Sequence, residues 1–390
     1  MTIFVSYSGD HARVRDLVMT LRRHGVRTWR DEDNLNSGAM TRDAIASELA
    51  RCSAAMLWLG GGTLTSDYVK NIEIPLIYEN NGSRGLRIIP LFVDGDAKSG
   101  IDAVRMATGR EIGDHNGHVR GSDEIHSFAA RVASAEVRAQ LADGRGDVRR
   151  PALRCVTRSD AAGGREFADL NFNWIREYPS DGELPVEGTV EALRQALHRS
   201  MQHVISSFGP GAVDLYLSCH LHIGVALGYE LRRVTGAVPR VAVGDDWWQC
   251  QAVATSTDIA LSAHTSVGQP SATRTAVEIA LSRDTTALVS SFVRASNAKY
   301  RERTHLSPDE GPDQHAVTRE NVNAWADQCA DVIRRARSQP GVDSVDVFVA
   351  APIGLAVALG WRLNAVGDVR LFHPEGNAGP YRHVWTLQPS

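Results

Sequence analysis

The 390-residue chain has no apolar run near the roughly 20 residues that a membrane-spanning helix needs; its longest, such as Ala54–Leu59, are of strand length. Its start, MTIFVSYSGD, lacks a basic stretch followed by an apolar one, so a cytoplasmic protein without membrane partners is expected. Cysteine is scarce. Cys52, Cys155, Cys219, Cys250 and Cys329 are odd in number, scattered and never in a CxxC pair, which argues against a disulfide framework and a cysteine zinc site. There is no basic excess either: a formal net charge of −4 disfavours broad binding to DNA or RNA, although a small phosphate ligand needs only a few arginines. No GxSxG turn accompanies any candidate Ser-His or Cys-His pair, so acyl-transfer chemistry has no support.

A duplication stands out among what is present. Val213 to Arg232 reads VDLYLSCHLHIGVALGYELR, and Val345 to Asn364, 132 positions on (345 − 213), reads VDVFVAAPIGLAVALGWRLN without a gap. Val-Asp, Val-Ala-Leu-Gly and the last Leu are identical, and most differences exchange one apolar residue for another. Two related strand-loop-helix units packed together form a cleft of approximate two-fold symmetry, suited to a cyclic or repetitive ligand. The residues after each repeat strand are the candidates for it: Ser218, Cys219, His220, Leu221 and His222 in copy one, Ala351, Pro352, Ile353 and Gly354 in copy two. Helix-start N–H groups there would receive phosphates, His220 or His222 would meet a base, and Trp247, Trp248 and Trp385 would stack on one, unless they serve the core. Cys219, His220 and His222 do not read as a metal site, because alternate residues point apart, no fourth ligand is near and copy two has Ala351, Pro352 and Gly354 instead.

The segments place a parallel α/β sheet first. Strands are expected at 3–7, 26–29, 54–59 and 86–93, and helices at 12–24, 42–51, 66–79 and 124–142. A polar, glycine-bearing linker at 144–150, closed by Pro151, separates a domain at 1–143 from one at 151–390. In the second domain, 191–208 and 316–338 read as helices and 258–262, 275–281 and 286–293 as strands.

Three blocks of the first domain, FVSYSGD at 4–10, TWRDEDNLNSG at 28–38 and SDYVKNIEIPLIYENN with LRIIPLFVDG after it, together resemble a TIR domain. Bottom-up, the hydroxyls of Ser6, Tyr7 and Ser8 and a helix N-terminus fall at the carboxyl edge of the sheet, a usual phosphate position, with Ser8 or Asp10 as an ordinary cap the plainer reading. Asp31 to Met40 reads as a polar loop. The resemblance implies a flavodoxin-like fold, cleavage of NAD as substrate with no cofactor, Glu73 as the catalytic carboxylate, and Ser6, Tyr7, Ser8, Trp29, Asp31, Leu35, Ser66 and Tyr68 around the substrate. Glu79 on the same helix is a competing carboxylate, Tyr68 stands where many relatives have tryptophan, and Trp29 fits a core position equally well. Breaking the ribose–nicotinamide bond builds an oxocarbenium-like centre that one carboxylate can stabilise or trap. Nicotinamide leaves neutral, so no acid is required.

The second domain, following a TIR domain and carrying a duplicated strand-loop-helix, resembles the SAVED domain of bacterial antiphage effectors. That resemblance implies two fused CARF-like, Rossmann-like halves binding a cyclic oligonucleotide such as cyclic tri-adenylate, with self-association into a multimer or filament that completes the TIR sites. NAD would then be split to nicotinamide and linear or cyclic ADP-ribose. The alternative is a non-catalytic TIR scaffold that recruits a partner.

Overall fold

The computed structural model describes residues 2–30, 41–60, 63–93, 97–112, 118–119, 125–143, 150–158, 168–179, 183–208, 211–251, 260–376 and 379–388. Asp31, Leu35 and all of the expected linker except Arg150 lie outside them. The chain divides into two compact units, one of 1–136 with 170–172, the other of 137–169 with 173–390.

In the first unit β1 (Thr2–Ser6), α1 (His11–Arg23), β2 (Arg27–Trp29), α2 (Thr41–Arg51), β3 (Ala54–Leu59), α3 (Ile74–Arg84), β4 (Arg87–Phe92), α4 (Ala97–Thr108), β5 (His118–Val119) and α5 (Ile125–Asp143) follow one another. All strand pairs are parallel in the order β2-β1-β3-β4-β5, the flavodoxin-like order expected from the resemblance. β3, AAMLWL, is buried along its whole length because it lies mid-sheet, where both faces are covered. Phe4, Trp29, Ile45, Leu57 and Ile77 belong to the core beside it. The helix expected at 66–79 differs in its first half: Val69–Glu73 is a π-helical segment, and the α-helix runs on from Ile74. Pro75, which has no N–H to give, sits in the first turn after the wide segment. The helix at 97–108, with Gly100 inside it, is not among those expected from the sequence.

Beyond α5 the chain continues with β6 (Ala152–Val156), β7 (Leu170–Asn173), α6 (Glu187–Phe208), β8 (Gly211–Ser218), α7 (Leu221–Glu230), β9 (Ala237–Val243), β10 (Asp246–Gln249), β11 (Leu261–Val267), β12 (Arg274–Ala280), α8 (Thr286–Ala295), β13 (Glu302–Pro308), α9 (Val322–Arg337), β14 (Ser344–Ala350), α10 (Ile353–Arg362), β15 (Asp368–Pro374) and β16 (Tyr381–Leu387). Two expectations are corrected. Residues 286–293, read as a strand from their valines and threonines, form α8: Leu288, Val289, Phe292 and Val293 share a helical face, and Phe292 packs on Phe348 and Phe372 at 5.7 and 5.2 Å. The helix expected from 316 begins at Val322, because the Asn321 amide bonds the Thr318 N–H and the Ala316 carbonyl and closes a turn ahead of it.

The duplication extends over whole sheets. The strand orders β10-β9-β8-β6-β7 and β16-β15-β14-β12-β13-β11 correspond, each with a parallel centre and an antiparallel strand, β10 or β16, at one end. The repeated Asp of Val-Asp faces an arginine on the neighbouring strand in both: Asp214 with Arg240 at 3.1 Å and Asp346 with Arg370 at 3.3 Å. One residue further, Val241 stands opposite Trp248 and Leu371 opposite Trp385, which makes the two tryptophans equivalent.

The repeat helices α7 and α10 cross at their glycines. A Cβ on Gly228 would lie 2.1 Å from the Val357 carbonyl oxygen, and one on Gly360 would lie 1.9 Å from that of Val225, the matching pair with the copies exchanged. Only glycine admits this approach, which explains the glycine that ends Val-Ala-Leu-Gly in both copies. The next residues repeat the exchange: Tyr229 donates its hydroxyl to the Gln388 carbonyl at 2.8 Å, and Trp361 its indole N–H to the Ala237 carbonyl at 2.9 Å.

Candidate functional site

Two carboxyl edges collect the chemistry. In the first unit the strand order reverses between β1 and β3, where such sheets hold ligands. Ser6 ends β1 there, and its hydroxyl donates to the Glu73 carboxylate at a short distance. Glu73 is only 3% exposed, whereas Glu79 is exposed, so burial separates the two candidates. A buried carboxylate costs several kcal/mol unless hydrogen bonds offset the lost water, and the π turn that points Glu73 inward is a feature often found at functional positions.

Around it, Ser8 and Thr63 exchange hydrogen bonds, the Thr63 hydroxyl accepting from the Ser8 N–H at 3.3 Å and donating to the Ser8 carbonyl at 3.1 Å. Gly9 and Asp10 both take left-handed φ, 69° and 51°, and turn the chain into α1. Asp10 makes no side-chain cap; it pairs with Arg13 at 2.8 Å, so the plain capping role does not fall to it. Ser66 accepts the Val69 N–H at 3.3 Å and so caps the π segment. Tyr7 is buried, with the Arg30 guanidinium 6.0 Å from its ring centre. Tyr68 packs half-buried against the core, and Trp29 stacks on Phe4 at 5.1 Å inside it, its core role thereby visible.

In the second unit His220 and Pro352, equivalent residues, precede α7 and α10 with the same backbone: φ −64°, ψ 145° and φ −62°, ψ 152°. Neither helix has a side-chain cap, so both present bare N–H groups in like orientation. Ser218 ends β8, Cys219 and Ala351 are buried in the two turns, and Leu221 and Ile353 open the helices, Ile353 lying against Gly224. Trp248 lies over Gly354, whose added Cβ would come within 2.4 Å of the indole, and its equivalent Trp385 lies 6.2 Å from the ring of His222, the residue equivalent to Gly354. Each tryptophan thus sits at the helix start of the other half.

Side chains far apart in sequence complete the copy-one edge. Thr157 hydrogen-bonds His220 Nδ1 at 2.7 Å, Tyr178 stacks on the His220 ring at 4.5 Å and its hydroxyl lies 3.3 Å from His222 Nε2, and His373, from β15, meets both imidazoles edge-on at 5.1 Å. Sequence reasoning missed Thr157, Tyr178 and His373. Their only local signal is that Thr157 directly follows a strand and His373 nears the end of one. Burial, then the mutual repulsion of the imidazoles and the field of Arg158, Arg283 and Arg382, holds His222 well below the ordinary histidine range and His373 down at about 3. The edge is therefore neutral in its centre and positive around it, a setting suited to a phosphate-bearing ligand. Among the described residues no three His, Cys, Asp or Glu side chains are grouped to hold a metal ion.

His373 carries a stability consequence. A histidine whose folded value is depressed takes its proton more readily when unfolded, so its stabilising neutrality is complete above about 6.5 and is lost as pH falls towards 3. Lowering pH from 7.5 to 5 is expected to remove about 2 kcal/mol through this group. Thermal unfolding against pH checks it: the His373→Gln variant should show a flatter slope, and an unchanged slope would refute the effect.

The geometry defines a two-unit α/β protein, a flavodoxin-like sheet with a buried carboxylate at its switch point followed by a duplicated Rossmann-like unit. The family model described as "SMODS-associated and fused to various effectors sensor domain", SAVED, matches residues 192–387, half of the chain, and the TIR domain model matches residues 3–118. The chain belongs to the SAVED family and carries a TIR domain ahead of the sensor domain. Two solved structures of the Acinetobacter baumannii Cap4 SAVED/CARF-domain containing receptor share its fold. The one with the cyclic trinucleotide 2′3′3′-cAAA has a TM-score of 0.53 at 13% identity, covering 90% of this chain and 87% of that one. The one with 3′3′3′-cAAA has 0.52 at 12% identity over the same shares. No curated protein matches the chain. Among the described residues no helix is long and apolar enough to cross a membrane.

Proposed function

We propose that the SAVED domain binds a cyclic oligonucleotide and that, in response, the TIR domain cleaves NAD+ to nicotinamide and ADP-ribose. The observation that carries the catalytic half is Glu73, buried at the switch point of the sheet and hydrogen-bonded by Ser6. A fixed carboxylate in a water-poor position stabilises the cationic ribose as the bond to nicotinamide lengthens, and the departing neutral base needs no proton. The binding half is supported by the two equivalent uncapped helix starts, by the arginines around them and by the cyclic trinucleotides held by Cap4, a protein of the same fold. Binding is read as driving self-association that switches the TIR domain on, so that NAD is depleted only when the signal is present, as an antiphage response requires.

The test is nicotinamide release from NAD+ by the purified chain, with and without a panel of cyclic di-, tri- and tetranucleotides. Release with one ring and none without it is expected. Ring binding without release would leave the TIR domain as a recruiting scaffold.

A further inference from the structure

The two ligand-facing edges of the SAVED domain are alike in backbone and unlike in side chain. The helix starts after His220 and Pro352 share their dihedrals, and each is approached by the equivalent tryptophan of the other half. Yet the second residue of α7 is His222 and that of α10 is Gly354. His222 is 4% exposed, and its Nδ1 has no hydrogen-bond partner while Nε2 is engaged with the Tyr178 hydroxyl at 3.3 Å. Gly354 has no side chain to bond with, and the Trp248 ring occupies the place where one would be.

We propose that this site is two-fold in the backbone that faces phosphates but reads a single base, with His222, held by Tyr178 and flanked by His373, as the specificity-determining residue and the Gly354–Trp248 edge as a stacking surface indifferent to base identity. This rests on the reading that the domain binds a cyclic oligonucleotide. A buried ring nitrogen left without a partner penalises a base that presents the wrong group, so one hydrogen bond of this kind discriminates by roughly tenfold or more. An indole face accepts any base, because every base has a π surface. A ring of several nucleotides can turn in such a site until the one accepted base meets His222.

The experiment measures affinity of the full chain for 3′3′3′-cAAA, for the all-guanine ring and for the two mixed rings of the same size. One uniform ring should bind roughly tenfold or more tighter than the other, and both mixed rings should bind within about threefold of the better one, since each can present the accepted base. In His222→Ala the two uniform rings should converge to within about threefold. Tyr178→Phe, which removes only the hydroxyl that holds the imidazole, should narrow the gap and guards against misfolding of the first variant. Mixed rings as weak as the worse uniform ring, equal binding of the uniform rings, or discrimination that survives in both variants would each overturn this inference while leaving cyclic-oligonucleotide sensing in place. Failure of every ring to bind, the wider panel included, would overturn that reading along with it.

Discussion

Glu73→Gln is expected to abolish the proposed ring-activated nicotinamide release, a loss on the order of a hundredfold to a thousandfold or more, without unfolding the chain. Glutamine has the same shape, and its amide oxygen still accepts from the Ser6 hydroxyl, so the bond that ties the π segment to the end of β1 survives. What goes is the negative charge that the proposed mechanism sets against the ribose as it becomes cationic. The loss therefore falls on the transition state and lowers kcat and kcat/KM together, leaving ring affinity and thermal unfolding unchanged. Glu79→Gln is the matched control, because that residue is exposed on the same helix and should be silent. Turnover of Glu73→Gln within about tenfold of the parent would remove Glu73 from the mechanism.

Gly360→Val is expected to destabilise the SAVED unit by about 3 kcal/mol or more, the upper end of what overpacking costs. Even the first added carbon would stand 1.9 Å from the Val225 carbonyl oxygen and 2.8 Å from the Tyr229 nitrogen. Those are backbone atoms of the facing helix and cannot rotate away, so α7 and α10 must part and the packing between the halves is lost along their length. Thermal unfolding should shift down by roughly 6–12 °C for a unit of this size. Ring affinity should fall with it, because the two helix starts proposed to receive the ligand would no longer keep their spacing. Gly228→Val should behave alike, its contact being the same one with the copies exchanged. Gly188→Ala, in the first turn of α6 with no atom within 4 Å, should not lower the unfolding temperature and should raise it slightly. If Gly360→Val melts with the parent, the helix crossing is not what joins the halves.

Much of this was legible from local pattern. The short apolar strand runs and the amphipathic helices between them announced a parallel sheet, and the three N-terminal blocks placed Ser6, Ser66 and Glu73 in one resemblance. Where local pattern failed, a competing local rule was at work. Thr286–Ala295 has the β-branched content of a strand and the spacing of a helix, and packing of Phe292 decided for the helix. The π turn before Pro75 left no trace in hydrophobic period, since one wide turn shifts the phase by a single residue. The resemblance put Glu73 ahead of Glu79 by its spacing from Ser66 and Tyr68, but that only Glu73 is buried could not be read from the sequence, because burial is a property of what covers a helix face.

By itself the sequence determined that the chain is duplicated, that its repeated strand ends in a turn opening a helix, and that small residues recur at matching places in both helices. These are local facts, set by side-chain size and hydrophobic period. Only the tertiary structure decided that Gly228 and Gly360 lie against each other's helix, that Trp248 and Trp385 exchange halves, and that Thr157, Tyr178 and His373 converge on His220 and His222. Which side chains meet at a sheet edge depends on strand order, and strand order rests on pairings such as β6 with β8 and β12 with β14, between segments far apart in the chain, that no local period records.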